Sequence, residues 1–313
     1  MSASRNAAYE QKLAALEALR TAGDTGPEAQ RAIRKALQDR NNYVVSKAAA
    51  IVSALGVAAL VPDLLAAYDR FFTDPVKTDP QCWAKTALIK ALAELSHEDS
   101  ATYLRGLRHI QKEPVWGGSS DTAASLRANC ALALVACRDL NDLALLTHLT
   151  DALVDEDKNV RAEVARAIGR LGRREGAIVL RLCALVGDKA PEVVGACLSA
   201  ILSIDLDDGI LFVAPFLDRG DDCAAEAAFA IGLTHDQRAF EILRDRLSHE
   251  PKSDLRRTLL TGIALTRLPD ALEMLVRMVE TQAFGAALAR DALAAVPLPD
   301  DLRARLAALV TSS

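Results

Sequence analysis

The spacing of apolar residues predicts paired helices along nearly the whole chain. In the clearest pair, Leu145, Leu149 and Leu153 recur at every fourth residue, and a second stripe of the same spacing runs from Val160 to Ile168. Apolar residues at this spacing lie on one face of an α-helix, with polar residues on the other face. Neither helix can bury its stripe alone, so each pair is expected to pack on its neighbours.

The second helix of this pair also carries signals at both ends. Asp157 offers a side-chain oxygen to cap the N-terminus, and Gly172 can end the helix in the left-handed conformation. A looser form of this helix can be placed eight times, starting at Val44, Trp83, Leu126, Val160, Val193, Cys223, Leu255 and Leu288, with steps of 39, 43, 34, 33, 30, 32 and 33 residues. A period of this size is typical of stacked helical units.

The chain is therefore predicted to be an all-α array of about eight helix pairs. Ala and Leu dominate its apolar residues, and no strand-like alternation of β-branched residues is visible. Although 313 residues exceed the usual size of one closed core, a repeat array escapes that limit because each unit packs only on its neighbours. We expect a single domain with an N-terminal capping helix in 1–27, repeats over 28–296, and a C-terminal capping helix in 297–313.

The segment from Asp157 to Ala165 resembles the signature of HEAT repeats, in particular the short bacterial kind also seen in phycobilin-lyase-like repeat proteins. The resemblance rests on Asp157, Val160, Arg161, Val164 and Ala165, and looser versions extend it over about residues 28–296. It implies an armadillo-like, right-handed α-solenoid of HEAT-like repeats, with the second helices on the concave face and Arg161 in a polar ladder between repeats. It implies little about activity, because function lies in sites carried by a fold.

Composition disfavours several functional classes, namely nucleic-acid binding, membrane insertion and zinc binding. The net charge is −5, from 37 basic and 42 acidic side chains, which does not favour nucleic-acid binding. No apolar run is long enough to span a membrane, and the first residues lack the apolar segment of a signal peptide. The six cysteines have no zinc-ligand spacing. We expect a cytoplasmic protein with no bound metal or cofactor and no membrane contact.

The chain carries none of the common catalytic motifs, HExxH, GxSxG, the P-loop or GxGxxG, so we expect no catalytic residues and no enzyme activity. Cys82 is the one cysteine predicted at a helix start. The helix N-terminus could lower the pKa of its thiol and make it reactive. The alternative is that all six cysteines are small buried apolar residues.

Two neighbouring repeats carry insertions between their helices, at residues 71–81 and 111–121. Both contain proline, and the second contains a glycine pair, so we expect loops that project from the same edge of the array. Long loops often carry function.

Aromatic residues give a first candidate surface. Every Trp and Tyr lies within the first 116 residues, and these residue types are frequent at binding hot spots. We predict a partner-binding surface that contains Tyr68, Phe71, Phe72, Trp83 and Trp116. The alternatives are that Trp83 opens a core helix, as Val160 does, and that Trp116 folds back over its own loop.

Arginines give a second candidate surface. Arg161, Arg166 and Arg170 lie on one predicted helix, the last two four residues apart, and could bind an acidic peptide or a phosphate. The alternative is a solvated face on which Glu163 pairs with Arg166.

These patterns predict a non-catalytic scaffold or adaptor, monomeric or weakly dimeric, that binds a protein or peptide partner on the concave face or the inserted loops. Two alternatives stay open. One is a DNA binder of the HEAT-like alkylpurine DNA glycosylase type, and the other is a chromophore attachment protein similar to phycobilin lyases.

Overall fold

A computed structural model describes residues 2–250 and 253–311. The chain divides into two compact units, Met1–Val164 (unit 1) and Ala165–Ser313 (unit 2), and the boundary falls within one helix. No helix in the described ranges is both long and apolar enough to cross a membrane.

Unit 1 consists of helices and one short hairpin. Its elements are α1 (Ser2–Ala22), α2 (Pro27–Leu37), α3 (Asn42–Ala54), α4 (Val61–Arg70), α5 (Pro75–Thr78), α6 (Trp83–Glu94), α7 (Ser100–Leu107), β1 (Lys112–Val115), β2 (Gly118–Asp121), α8 (Ala124–Leu134), α9 (Asp142–Ala152) and the first part of α10 (Lys158–Leu171).

Unit 2 is helical over its described residues. After the last part of α10 it contains α11 (Arg174–Val186), α12 (Pro191–Ile204), α13 (Leu206–Val213), α14 (Asp222–Gly232), α15 (Gln237–Ser248), α16 (Ser253–Leu265), α17 (Pro269–Glu280), α18 (Ala286–Ala294) and α19 (Asp300–Thr311).

The predicted pairing of helices is confirmed. All eight second helices are present, as α3, α6, α8, α10, α12, α14, α16 and α18, each preceded by a first helix, and α1 and α19 stand before and after the pairs. In α10 the stripe Val160, Val164 and Ile168 is fully buried. Asp157 accepts hydrogen bonds from the next backbone N–H groups at 2.8 and 3.2 Å, and Gly172 has the predicted positive φ of 68°.

Second helices of successive repeats pack side by side. In unit 1, α6 contacts both α3 and α8, and in unit 2, α14 contacts α12 and α16, which in turn contacts α18. This stacking buries the stripes that a single pair leaves open to water. The all-α repeat architecture is confirmed, whereas the continuity of all eight repeats as one domain stays a prediction.

One sequence-based expectation about local structure was wrong. Residues 111–121 do not form a loop, because β1 and β2 pair as an antiparallel hairpin in which Lys112 lies opposite Asp121 and Val115 opposite Gly118. The first insertion also has structure of its own, with α5 followed by a 3₁₀ turn at Pro80–Cys82.

A buried carboxylate fastens the first insertion to the repeats. Asp79 is fully buried and caps α6 by accepting from the N–H groups of Ala84 (2.8 Å) and Lys85 (3.0 Å). It also accepts from the ammonium of Lys85 at 2.9 Å and from the amide of Asn42 on α3 at 2.9 Å. Charged hydrogen bonds of this kind compensate a carboxylate for the water it loses on burial.

The hairpin is tied to the same residue through its backbone carbonyl. Gln111 donates its side-chain N–H to the Asp79 carbonyl and to Glu113, each at 2.8 Å. Glu113, with 6% of its surface exposed, further accepts from the backbone N–H of Gln81 at 2.7 Å and from the Thr122 hydroxyl at 2.6 Å. The two insertions therefore meet, as their equivalent positions in neighbouring repeats predict, and they form one connected polar cluster.

In unit 2 the closest approach of second helices depends on glycine. A Cβ atom placed on Gly232 of α14 would overlap the backbone carbonyl of Gly262 on α16. We expect Gly232→Ala to lower the free energy of unfolding by about 1–3 kcal/mol, because backbone atoms cannot move aside as a side chain can. Gly118→Ala is the matched control, since a Cβ there meets nothing within 4 Å. If urea denaturation showed the same loss of unfolding free energy for Gly232→Ala and Gly118→Ala, the close packing at Gly232 would not be the cause.

The buried ion pair makes a second prediction. Lys85→Met should lower the free energy of unfolding by about 3 kcal/mol, because Asp79 would remain buried without its cation. The control is Lys12→Met, which removes a 2.6 Å pair with Asp39 while the Lys12 side chain is 56% exposed. An exposed pair contributes less than about 1 kcal/mol. Urea denaturation followed by circular dichroism checks both, and a Lys85→Met loss no larger than the control would refute the assignment.

The attachment of the hairpin should weaken in acid. Burial raises the pKa of Glu113, but the hydrogen bonds from Thr122, Gln111 and Gln81 outweigh burial and lower it below its ordinary value of 4.5. The unfolded chain then binds the proton more readily, so the stability from Glu113 is full above pH 4.5 and is lost as pH falls towards the folded-state pKa.

Glu113→Gln isolates this effect from the other carboxyl groups. We expect the variant to be less stable than the wild type at neutral pH and to lose less stability between neutral pH and the acid range. The measurement is the urea midpoint as a function of pH. Parallel curves for the two proteins would show that Glu113 does not contribute to the acid sensitivity.

Candidate functional site

The faces of α3 and α6 that lie opposite the buried stripes carry matching residues. Both present an aromatic residue, a hydroxyl and a lysine at helical spacing, as Tyr43, Ser46 and Lys47 on α3 and Trp83, Thr86 and Lys90 on α6. Because α3 and α6 pack side by side, these faces adjoin. Sequence analysis identified Trp83 alone among these residues.

Three aromatic rings from successive helices form a ladder. The rings of Tyr9 on α1 and Tyr43 have centroids 6.4 Å apart, and those of Tyr43 and Trp83 are 5.6 Å apart with an edge-to-face inclination of 63°. Trp83 keeps 51% of its surface exposed. Rings that support one another in this way present apolar area without losing much side-chain freedom on binding.

Two rings of the ladder, those of Tyr43 and Trp83, line an open groove of about 610 Å³ in unit 1 (the ladder groove). Its walls come from α3, α6, the start of α8 and the base of the hairpin, and its polar lining includes the hydroxyls Ser46, Thr86, Ser120, Thr122 and Ser125. Hydroxyls can donate or accept, so they suit a ligand with a peptide backbone.

The free charge of the ladder groove is positive. Lys47 lies 5.2 Å from the centre of the Tyr43 ring, and within the described part of the chain neither Lys47 nor Lys90 forms an ion pair. Asp121, the carboxylate that lines the groove, is already used: it pairs with Arg127 at 2.6 Å and accepts from the N–H groups of Gln111 and Ala123. A ligand would therefore meet two available ammonium groups.

The alignment of Trp83 with Val160 was wrong by two residues. In six second helices the aligned residue is the third of the helix, as Val44 and Val160 are, whereas Trp83 is the first residue of α6. Lys85 takes the third, buried position instead. Trp83 is therefore not a core residue, and it faces the groove.

Two members of the predicted aromatic surface lie in the core. Tyr68 and Phe71 are each 1% exposed, and they offer no area to a partner. Burial raises the pKa of the Tyr68 hydroxyl above its ordinary value. Phe72 is half-buried between the Tyr68 and His109 rings, each 4.9 Å away, with the Arg105 guanidinium 3.8 Å from its ring centre.

Trp116 occupies the turn of the hairpin and is fully exposed. It does not fold back over the loop. Since a strand rises about 3.3 Å per residue, this tip stands roughly 10 Å from the strand ends that line the groove. The structure brings Trp83 into the ladder groove and leaves Trp116 outside its lining.

The predicted arginine surface has structural contacts of its own. Arg161 donates to the backbone carbonyls of Asp155 (2.7 Å) and Glu156 (3.1 Å), and thus fixes the turn before α10. In unit 2, Arg166 lies close enough to Glu226 to lower the pKa of that carboxyl, although burial, the larger effect, raises it. Arg170 is exposed on α10. Binding at these residues stays a prediction.

Cys82 is not a reactive thiol. It is fully buried, and burial raises the pKa of its thiol to about 12. Among the described residues no group of three or more histidine, cysteine or acidic side chains is arranged to hold a metal ion.

Comparison with known proteins gives structural matches only. No family model matches the chain, and no curated protein matches it. Among solved structures, the chain is similar to the complex of CpcE and CpcF of phycocyanin lyase from Nostoc sp. PCC7120, with 19% identity and a TM-score of 0.39, covering 74% of this chain and 89% of that one. It is also similar to human deoxyhypusine hydroxylase in complex with glycerol, with 17% identity and a TM-score of 0.32, covering 81% of this chain and 88% of that one.

These matches correct one prediction. We expected no enzyme activity from the missing motifs, but a lyase and a hydroxylase stand among the similar structures, so that prediction is contradicted and we do not retain it. At such identities the likeness concerns the fold alone, and no activity passes from those proteins to this one. By its paired helices and stacked second helices, the chain has the architecture of a HEAT-like helical-repeat protein.

Proposed function

We propose that unit 1 binds an acidic, partly apolar segment of a protein partner in the ladder groove. The observation that carries this proposal is the half-exposed ring of Trp83, which packs edge-to-face on Tyr43 in a groove that also contains Lys47 and Lys90, neither of them in an ion pair within the described residues.

The aromatic ladder supports recognition of apolar side chains. Trp and Tyr dominate binding hot spots because they cover a large area and lose little conformational freedom. The Tyr43 and Trp83 rings already support each other, so a ligand need not order them. A Leu, Met or aromatic side chain of the partner would pack on the exposed half of Trp83.

The lysines select the charge of the partner. Lys47 and Lys90 lie on adjoining helices and line the same groove as the aromatic rings, so carboxylates close to an apolar anchor would meet them. Nucleic acids are disfavoured, because single-strand binding needs a groove that stays positive along the backbone. Two lysines in a chain of net charge −5 do not provide such a groove.

We propose that the eight repeats form one continuous solenoid, that the protein is cytoplasmic, and that it is a monomer or a weak homodimer. The occurrence of a two-protein lyase complex among the similar structures is consistent with a protein partner, without indicating which one.

Selection from a displayed library of random peptides tests the proposal. Peptides retained by the wild type should be enriched in Asp and Glu around an apolar or aromatic residue. Trp83→Ala should weaken their Kd by at least about tenfold, the effect of losing a hot-spot residue. The Lys47→Glu/Lys90→Glu variant should weaken it by a similar factor, through repulsion of the acidic residues.

Two controls make the test specific. Leu211→Ala removes a 76% exposed apolar residue in unit 2 and should leave the Kd unchanged. Trp116→Ala examines the hairpin tip, and a loss there without a loss for Trp83→Ala would reject the groove as the site. Retention of single-stranded DNA with an affinity that falls steeply with salt would reject a protein partner in favour of nucleic acid.

A further inference from the structure

Helix α11 of unit 2 exposes an apolar stripe on the side opposite its buried residues. The helix packs on α12 and buries Gly176, Leu180 and Ala184. Its other side (the α11 stripe) carries four large apolar residues whose surfaces are 62–78% exposed, namely Ile178, Leu182, Leu185 and Val186. No other described helix exposes more than one large apolar residue. Contiguous exposed apolar residues commonly mark an interaction surface.

The residues around the α11 stripe are placed symmetrically about Leu182. Ile178 lies four residues before Leu182 and Val186 four residues after it. Glu175 lies seven residues before Leu182 and Lys189 seven residues after it, and both are exposed. When two identical helices pack antiparallel across a twofold axis, each residue meets the one at the same distance on the other side of the centre. The stripe is therefore complementary to itself.

We propose that the α11 stripe is the contact surface of a homodimer, in which two copies of α11 pack antiparallel with Leu182 on the twofold axis. Ile178 then meets Val186 of the second copy, and Glu175 meets its Lys189. The inference rests on the weak homodimer included in the proposed function, and it does not depend on a ligand in the ladder groove.

The charges at the two ends of the stripe favour a second copy of this chain as the partner. Neither Glu175 nor Lys189 forms an ion pair with another described residue, so both are available. The antiparallel dimer contains the pair of opposite charges twice, whereas a parallel dimer would set like charges side by side. It also places the positive N-terminal end of each helix dipole beside the negative C-terminal end of the other.

Other charges near the α11 stripe are engaged within unit 2. Arg174 pairs with Asp205 at 3.3 Å. Arg181, next to the proposed axis, pairs with Asp208 at 2.7 Å, and its guanidinium lies 4.6 Å from the centre of the Phe212 ring. These contacts hold the two arginines to their own chain, so apolar residues dominate the centre of the proposed interface.

The small size of the α11 stripe makes the dimer weak. From Ile178 to Val186 the helix rises about 12 Å, at 1.5 Å per residue. A stable interface takes roughly 20–30 residues from each partner, and one helix face supplies far fewer. We therefore expect monomer and dimer to exchange as the protein concentration changes between micromolar and millimolar.

Sedimentation equilibrium of the whole protein tests the dimer. The average mass of the wild type should rise with concentration from that of the 33.5 kDa chain towards twice that value. Leu182→Glu places two carboxylates on the twofold axis and should weaken association at least about hundredfold, through repulsion and lost apolar contact. Leu143→Glu is the matched control, because Leu143 is a 71% exposed leucine on a first helix of unit 1, and it should associate as the wild type does.

Charge reversal tests the antiparallel arrangement. Glu175→Lys sets lysine against lysine at each end, and Lys189→Glu sets glutamate against glutamate. Each variant should self-associate about tenfold more weakly at low salt. An equimolar mixture of the two variants should recover the wild-type affinity, because every lysine then faces a glutamate of the other chain. Circular dichroism establishes that each variant is folded.

Three results would overturn the dimer. The first is a monomer mass for the wild type at every concentration. The second is an equal effect of Leu182→Glu and Leu143→Glu, and the third is no recovery in the mixture of charge variants. Binding of the monomeric wild type, but not of Leu182→Glu, to vesicles of phosphatidylcholine and phosphatidylserine would assign the stripe to a membrane surface instead.

The same variants keep this surface distinct from the ladder groove. Lys47→Glu/Lys90→Glu should lose peptide binding and dimerise as the wild type does, whereas Leu182→Glu should keep peptide binding and remain monomeric. Loss of the dimer in Lys47→Glu/Lys90→Glu would move the contact between copies from α11 to the ladder groove.

Discussion

The whole architecture depends on the fact that a single helix pair cannot bury its own apolar stripes. Burial therefore requires the second helices to lie side by side, as α3, α6 and α8 do in unit 1 and α12, α14, α16 and α18 do in unit 2. Side-by-side packing has a second consequence. It also brings together the helix faces that lie opposite the buried stripes. Residues far apart in the sequence, such as Tyr9, Tyr43 and Trp83, therefore become neighbours.

One repeat departs from this rule in its core and compensates with hydrogen bonds. Lys85 lies where α3, α10 and α12 bury a valine, and a buried ammonium is tolerated because Asp79 and the Phe71 carbonyl accept from it at 2.9 and 3.3 Å. Asp79 in turn holds α3 through Asn42 and the hairpin through Gln111. Asp79 thus connects the two inserted segments, and it helps to fix the wall of the ladder groove.

Much of the fold follows from the local spacing of apolar and capping residues, and that part could be predicted. The stripe of α10, its Asp157 cap and its Gly172 end each depend on a few neighbouring residues. The register of α6 could not be predicted, because the cap Asp79 is separated from the helix by a 3₁₀ turn in which Gln81 and Cys82 adopt positive φ values of 62° and 55°. Non-glycine residues rarely take this conformation, and nothing in their sequence indicates it.

The candidate site was only partly predictable for a related reason. Aromatic enrichment pointed to the region of the chain that contains the ladder groove, but burial depends on tertiary contacts, so Tyr68 and Phe71 could not be told apart from Trp83. Tyr43, Lys47 and Lys90 lie on helices rather than in the insertions, so the predicted surface did not include them. The signal was present on α3, where Tyr43, Ser46, Lys47 and Ala50 recur at helical spacing opposite the buried stripe.

The ladder groove of unit 1 combines three properties that favour binding: exposed aromatic surface, lysines without ion pairs, and rings held in place by one another. Trp116 at the hairpin tip exposes a large apolar surface, but among the described residues no second aromatic ring packs on it. Arg161 is charged, but its guanidinium already donates to the carbonyls of Asp155 and Glu156. Lys47 and Lys90 keep their charge available beside rings that are already ordered. For the proposed ligand, two cations are enough to attract a short acidic segment, whereas a long polyanion would need a groove that stays positive along its length.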